Sequence, residues 1–166
     1  MTDNIVVMPG SACIDSVAVQ TVARRFGWTV EMADDLSDVC AAQSCRRTTA
    51  LLFHRDAFGC RSWLDAVRLL RFALPEVRLV ACHGFSESID WPELCDAGAF
   101  HSLWLPLKEN EVRRSFGFVW EAEKRRAELT ERVPTIVPPR NMSPMQRINP
   151  VLARGGRARV MTSATG

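Results

Sequence analysis

Short apolar runs alternate along residues 4–132 with segments whose apolar side chains recur at helical spacing. The runs at residues 5–8 and 50–53 are continuous, which is typical of strands that are covered on both faces of a sheet. Residues 63–74 place apolar side chains at i, i+4, i+7 and i+11 and stop before Pro75, which predicts an amphipathic helix. The alternation therefore predicts a layered α/β fold.

Five strands and five helices are predicted in this way. The strands cover residues 5–8, 28–32, 50–53, 77–82 and 102–105, and the helices cover residues 19–26, 36–40, 63–74, 90–97 and 110–132. Parallel strands joined by right-handed crossovers carry helices on both faces, so we expect a doubly wound five-stranded sheet. Ligands of such folds bind at the carboxyl ends of the strands.

Charge and proline content change near residue 134. Residues 134–166 hold five of the 21 basic residues, all arginines, and five of the nine prolines, but no acid. The preceding residues 1–133 carry 16 basic and 19 acidic side chains, a net charge of −3. We predict one folded domain at 1–133 and a disordered tail at 134–166, which is either a solvated extension or an arginine-rich arm for an acidic partner or nucleic acid.

Cysteine content and hydropathy indicate the compartment. Six cysteines are dilute in 166 residues and form no Cys-x-x-Cys, so we predict reduced thiols that pack as small buried hydrophobes. No apolar run approaches the roughly 20 residues of a membrane helix, and the N-terminus lacks a basic and apolar signal pattern. We expect a cytoplasmic protein with no membrane contact, no bound metal and no cofactor.

The segment at residues 96–107 carries the most specific pattern. It reads Asp-Ala-Gly-Ala-Phe-His-Ser-Leu-Trp-Leu-Pro-Leu and resembles the Gly-Ala to Lys-Pro segment of response-regulator receiver domains, which ends in their fifth strand. The turn at Gly27, the Leu74-Pro75 pair and the order of elements agree over residues 4 to about 126. The resemblance implies a flavodoxin-like fold and phosphoryl transfer from a histidine kinase to an aspartate after strand three.

The sequence departs from that family at each position that supports the chemistry. Family members hold Mg²⁺ with an acidic pair after strand one, and they place a lysine before the proline that follows strand five. The positions are instead occupied by Pro9 and Gly10 (acidic pair), His54 (acceptor), Cys82 at the end of strand four, Ser102 (aromatic switch) and Leu105 (lysine). Without these counter-charges, neither Mg²⁺ nor a phosphoryl group is neutralised, which predicts a degenerate pseudo-receiver.

Asp56 is the one acid near the acceptor position. It is either a displaced phosphoacceptor, with Asp15, Asp34 and Asp35 as metal ligands, or a residue that caps or solvates the loop before the third helix. His54, Cys82 and His83 offer a small polar or zinc-binding site as an alternative to two histidines with satisfied hydrogen bonds.

Three tryptophans fall on the fourth helix, the fifth strand and the fifth helix: Trp91, Trp104 and Trp120. The resemblance implies that this surface is where receiver domains dimerise or dock partners. Exposed indoles would mark an interface, whereas Trp104 has core packing as its alternative. Residues 121–132 carry opposite charges at helical spacing, which predicts a solvated helix extension.

Three hypotheses for function follow. The first is a non-enzymatic, phosphorylation-independent signalling module that binds a protein through the tryptophan-bearing surface. Its partner would be a sensor kinase, a downstream regulator or a second copy of the chain. The second is a conventional response regulator that is phosphorylated on Asp56. The third is a nucleic-acid-associated regulator that binds through its arginine-rich tail.

Overall fold

The computed structural model describes residues 3–10, 12, 14–45 and 47–132, and the predicted tail lies outside these ranges. Five strands form one parallel sheet in the order β2-β1-β3-β4-β5. The strands are β1 (Asn4–Met8), β2 (Thr29–Met32), β3 (Thr48–Phe53), β4 (Arg78–His83) and β5 (His101–Trp104). The helices are α1 (Ser16–Arg25), α2 (Leu36–Cys45), α3 (Trp63–Ala73), α4 (Trp91–Asp96) and α5 (Glu109–Arg132), with a 3-10 turn at Arg55–Phe58.

The doubly wound, five-stranded parallel sheet predicted from the alternation is confirmed. Element bounds differ from the prediction by a few residues at most of the ends. The largest extension in a strand is at β3, which begins at Thr48 rather than at residue 50. Thr48 and Thr49 are buried and polar, so a search for continuous apolar runs misses them although β-branched residues suit a strand.

Successive strand residues face opposite sides of the sheet and build two cores. Ile5 and Val7 pack in the first core with α1 and α5, whereas Val6 and Met8 pack in the second core with α2, α3 and α4. These four side chains are fully buried, and each contributes about 1.5–3 kcal/mol of burial free energy. The continuous apolar runs thus reflect a sheet that is covered on both faces.

The helices begin at side-chain caps that were only partly visible as signals in the sequence. Asp15 accepts hydrogen bonds from the Val17 and Ala18 N–H groups at 2.9 and 3.1 Å, and Ser62 accepts from the Asp65 N–H at 3.1 Å. Asp90 caps α4 in the same way. Each cap satisfies backbone donors that a helix leaves unpaired in its first turn.

The prediction of buried thiols is wrong for most of the cysteines in the described ranges. Cys82 is buried, Cys60 is half-buried, and Cys40, Cys45 and Cys95 are exposed. The exposed three lie on α2 and α4, where only one residue of each helix is fully packed against the sheet. No helix in the described ranges is long and apolar enough to cross a membrane.

Candidate functional site

The carboxyl ends of β1, β3 and β4 meet at one edge of the sheet. Pro9 and Gly10 follow β1, His54 follows β3, and β4 ends in Cys82 and His83. Because β1 and β3 are neighbours, as are β3 and β4, these residues lie close together. This carboxyl edge is therefore where a binding or catalytic site of a doubly wound sheet is expected.

His54 is the centre of a charged network at the carboxyl edge. Its imidazole is buried, its Nδ1 lies against the Asp56 carboxylate, and its Nε2 is 3.1 Å from Glu87 Oε2. The Asp56 N–H also donates to His54 Nδ1 at 3.4 Å. Asp56 lies in the 3-10 turn before α3 and contacts His54, whereas the side-chain cap of α3 is Ser62.

Glu87 connects this network to the loop between β4 and α4. It accepts a hydrogen bond from the Gly84 N–H at 2.7 Å, and its second oxygen is 3.4 Å from Arg55 Nε. Burial pushes the pKa of Glu87 upward, but the hydrogen bond from Gly84 and the bond and charge of His54, together with Arg55, outweigh it. The pKa of Glu87 is therefore lowered, and the carboxylate is ionised at neutral pH.

Gly10 follows β1 and lies against the loop that carries Asp56. Its φ is +59°, and a Cβ at this position would meet the backbone N of Ala57 at 2.6 Å and the Asp56 carboxylate. Only a residue without a side chain fits at that distance and that φ. The end of β1 therefore packs directly against the loop that carries Asp56, and neither Pro9 nor Gly10 supplies a side-chain oxygen for a cation.

Cys82 and Leu105 make the rest of the carboxyl edge apolar. Cys82 is fully buried in the first core, and burial raises the pKa of its thiol to about 12. Leu105, at the position of the family's lysine, is half-buried against the same core. The rings of His54 and His83 instead both contact Trp63 of α3, so the structure separates the Cys82 thiol from the two imidazoles.

Two of the acids that the sequence offered as metal ligands beside Asp56, Asp15 and Asp35, hold the first turns of helices. Asp15 is the cap of α1, and Asp35 accepts from the Asp38 N–H at 2.9 Å in the first turn of α2. No group of three or more His, Cys, Asp or Glu side chains capable of holding a metal ion occurs there. These acids are thus engaged with helix ends rather than grouped with Asp56.

A chain of aromatic rings leads from His54 to the surface at β5. Trp63 lies beside both histidines, with ring centroids 5.3 Å from His54 and 6.1 Å from His83. His83 lies 4.4 Å from Trp104, which stacks on Phe85 at 4.5 Å. Burial lowers the pKa of His83, so its ring is neutral near pH 7 and packs as an aromatic.

The three tryptophans that were proposed as an interface differ in exposure. Trp104 and Trp120 are exposed, by 42% and 43%, whereas Trp91 is half-buried against the second core. Core packing is thus excluded for Trp104. Phe118 lies two residues from Trp120 on α5 and contacts His101 of β5, so Trp120 projects from a different side of the helix.

A second charged network lies at the amino edge of the sheet, where β3 and β4 begin. Glu123 of α5 has a side chain that is only 10% exposed, and it pairs with Arg47 and, at 3.1 Å, with Nε of Arg78. One turn further along α5, Arg126 pairs with Glu76. The predicted solvated extension of α5 is therefore wrong at Glu123 and Arg126, because both side chains bind the ends of the sheet.

Sequence reasoning did not identify Glu87, Phe85 or Glu123 as members of these sites. Glu87 and Phe85 lie in a loop without periodicity, and their partners are 33 and 19 residues away along the chain. Glu123 lies in a charged run that has the composition of a solvated helix. Its position four residues after Val119 and seven residues after Phe116, on the buried face, is the one signal that was present.

Comparison with known proteins gives matches among solved structures. No protein-family model and no curated protein matches the sequence. NtrX from Brucella abortus superposes with a TM-score of 0.61 at 19% identity over 79% of this chain, which spans only 29% of that protein. A receiver domain of a putative LuxO repressor protein from Vibrio parahaemolyticus gives a TM-score of 0.60 at 10% identity, with 77% of this chain and 96% of that one covered.

A receiver domain protein from Clostridium thermocellum superposes with a TM-score of 0.54 at 16% identity, covering 78% of this chain and 99% of that one. Identities at this level establish likeness of fold and nothing finer. The resemblance noted in residues 96–107 and in the order of elements is confirmed at the level of architecture. The described part of the chain has the fold of response-regulator receiver domains.

Proposed function

We propose that the chain is a non-enzymatic signalling module of receiver fold that works without phosphorylation and acts by binding another protein. The observation that carries this proposal is the carboxyl edge, where His54, Asp56 and Glu87 bind one another. Gly10 and Leu105 replace the charged groups that would neutralise Mg²⁺ and a phosphoryl group.

Electrostatics support the first part of the proposal. A phosphoryl group on Asp56 would bring additional negative charge beside Glu87, which is ionised at neutral pH. Among the described residues, the neighbours of Asp56 include the imidazole of His54. The position at which the family has a lysine is occupied by Leu105. In the described part of the chain, His54 contacts both carboxylates and Arg55 lies beside Glu87, so both carboxylates already have partners within the chain.

The surface at β5 supports the second part of the proposal. Phe85, Trp104 and Phe118 are exposed by 75%, 42% and 56%, and each contacts another ring on this surface. Large aromatic side chains in water favour association with another protein, because they bury much area at a low cost in conformational entropy. We call these three residues, together with His101, the β5 surface.

Measurement of the intact mass tests the proposal that the chain works without phosphorylation. The full chain is incubated with Mg²⁺ and acetyl phosphate, beside an Asp56→Asn variant. We expect the same unmodified mass for both proteins. A phosphoryl increment on the wild-type chain that is lost in Asp56→Asn would establish the alternative, a conventional phosphoacceptor, and would refute the proposal.

Binding through the arginine-rich tail is the remaining alternative. It concerns residues 134–166, which lie outside the described ranges, so it stays a prediction from the sequence. Affinity for DNA or RNA that falls steeply with salt in the full chain and vanishes on truncation at Pro134 would support it. We expect no such loss under our proposal.

A further inference from the structure

Two phenylalanines border one cavity beside the edge strand β5. The cavity has a volume of about 440 Å³, and we call it the Phe118 cavity; its lining residues are Phe100, Phe118, Glu121, Ala122 and Arg125. Phe118 is 56% exposed on α5, and Phe100, which immediately precedes β5, is half-buried against the first core. In the described ranges the two rings contact other groups, His101 and Arg78, and not each other. An apolar group inside the cavity can therefore lie against both rings.

Glu121 and Arg125 bring one negative and one positive charge to the same cavity. They lie one turn apart on α5, with Cβ atoms about 5–6 Å from each other, a spacing that permits an ion pair within a helix. In the described part of the chain, however, neither side chain has an ion-pair partner. Arg78 also lies near Phe100, but its Nε pairs with Glu123 at 3.1 Å. Two unpaired charges of opposite sign thus flank an apolar space.

This combination of charges selects among the classes of ligand. An anion in the cavity would face the like charge of Glu121, and a cation would face that of Arg125. A ligand that carries both signs close together places each beside its opposite. The ammonium and carboxylate of a free amino acid are attached to one carbon, which suits two side chains that lie one helical turn apart. Within a peptide chain these groups form amide bonds, so the charges favour a free amino acid over a protein segment.

We propose that the Phe118 cavity binds a free aromatic amino acid. Arg125 binds its carboxylate, Glu121 binds its ammonium group, and its ring lies against Phe100 and Phe118. A cavity of about 440 Å³ is within the range of roughly 300–1,000 Å³ that is usual for small ligands. Paired aromatic rings also contribute more to binding than the area they bury. The inference goes beyond the proposed function and does not depend on it.

Titration of the full chain with phenylalanine, followed by NMR, tests the site. We expect saturable shifts of the Phe118 and Ala122 amide signals, with a dissociation constant of about 1 mM or lower for a ligand of this size. Alanine lacks the ring and should bind at least about tenfold more weakly. N-acetyl-phenylalanine lacks the ammonium charge and phenylalanine amide lacks the carboxylate, so each should bind about fivefold more weakly.

A charge reversal tests the role of Arg125 through a change in specificity. Arg125→Glu should weaken the binding of phenylalanine at least about tenfold, because its carboxylate then faces two acids. The same variant should bind phenylalanine amide, which is a cation, more tightly than the wild-type chain does. A variant that had merely lost its structure would bind neither ligand, so this reversal separates recognition from folding.

Matched variants locate the site. Phe118→Ala should weaken the binding of phenylalanine at least about tenfold. Phe72→Ala, at a 90%-exposed ring on α3, and Glu128→Gln, at an exposed acid of α5, should leave it unchanged. All three side chains are exposed, so each variant is expected to fold, and far-UV circular dichroism checks this.

Several outcomes would overturn the inference. They are shifts confined to residues outside the Phe118 cavity, equal affinities for phenylalanine and alanine, and an absence of saturable binding at about 10 mM phenylalanine. The intact-mass experiment is independent of this test. Phosphorylation on Asp56 would refute the proposed function and leave the amino-acid site standing, whereas a chain that stays unmodified and binds no phenylalanine refutes the site alone.

Discussion

The two ends of the sheet carry networks of the same form. In one a basic residue lies between two acids, and in the other an acid lies between two basic residues. At the carboxyl edge a buried histidine lies between two carboxylates, Asp56 and Glu87. At the amino edge a buried carboxylate, Glu123, lies between Arg47 and Arg78. In both cases a polar group that would be costly to bury alone has a partner on two sides.

The difference between these networks lies in what surrounds them. Arg47 and Arg78 are half-exposed, so the amino edge holds α5 against two strands while both guanidinium groups keep contact with water. The carboxyl edge is closed more tightly, by Gly10 against Ala57 and by Trp63 beside His54. The amino edge thus joins α5 to two strands, whereas the carboxyl edge is closed by its own backbone and aromatic side chains.

Gly10→Ala tests the tight closure and should have the largest effect. We expect a loss of about 3 kcal/mol in the free energy of unfolding, because a Cβ there meets backbone and requires a left-handed φ. Urea denaturation measures it. Gly59→Ala is the matched control: its φ is +62° but nothing lies within 4 Å of its added Cβ, so it should cost only about 1 kcal/mol. Equal losses would show that the carboxyl edge is not closed at Gly10.

Glu123→Gln tests the amino edge and should have the next largest effect. We expect a loss of about 2 kcal/mol, less than for a fully buried ion pair because both arginines remain partly hydrated. Thermal and urea unfolding measure it beside Glu128→Gln, an exposed residue on the same helix that should change stability by less than about 0.5 kcal/mol. A result no larger than that of the control would contradict a structural role for Glu123.

Glu87→Gln sharpens the comparison through pH. At pH 7 we expect a loss of about 1 kcal/mol, because Gln still accepts from Gly84 but has no charge for His54 or Arg55. The pKa of Glu87 is lowered on folding, so its contribution is complete above the ordinary value of 4.5 and is lost as the pH falls through the lower folded pKa.

Unfolding in urea from pH 7 to pH 3 checks this expectation. The difference between wild type and Glu87→Gln should shrink below pH 4.5. Glu93→Gln, at an exposed residue of α4, serves as the control and should change stability by less than about 0.5 kcal/mol at pH 7. A gap between wild type and Glu87→Gln that stays constant to pH 3 would contradict the charged role of Glu87.

Thiol labelling compares the carboxyl and amino edges of the sheet and is the experiment with the smallest expected effect. Cys82 is fully buried with a pKa of about 12, so we expect it to react at least about 100-fold more slowly than exposed Cys40 at pH 8. Labelling followed by peptide mass spectrometry gives the rates. After correction for the loss of stability of each variant, Gly10→Ala should increase the labelling rate of Cys82 more than Glu123→Gln does. The reverse order would show that opening begins at the amino edge.

Local patterns in the sequence determined the layered fold. A sheet that helices cover on both faces requires particular local patterns. The sequence shows them in the continuous apolar runs of β1 and β3, in the apolar spacing of α3 and in the end of that helix before Pro75. The order of elements also placed Pro9 and Gly10 directly after β1 and Leu105 directly after β5, as the structure has them. Burial of Cys40 was predicted wrongly. Apolar spacing identifies a helix more reliably than it identifies which face of that helix packs against the sheet.

Only the tertiary structure decided how the charged groups pair. His54 and Glu87 are separated by 33 residues and Arg47 and Glu123 by 76, and no local pattern relates such positions. The charged run of α5 was predicted to be uniformly solvated, yet Glu123 is buried in an ion pair whereas Glu128 is exposed. Periodicity fixes which residues share a side of a helix, whereas the partner of each side depends on how distant strands and helices are brought together.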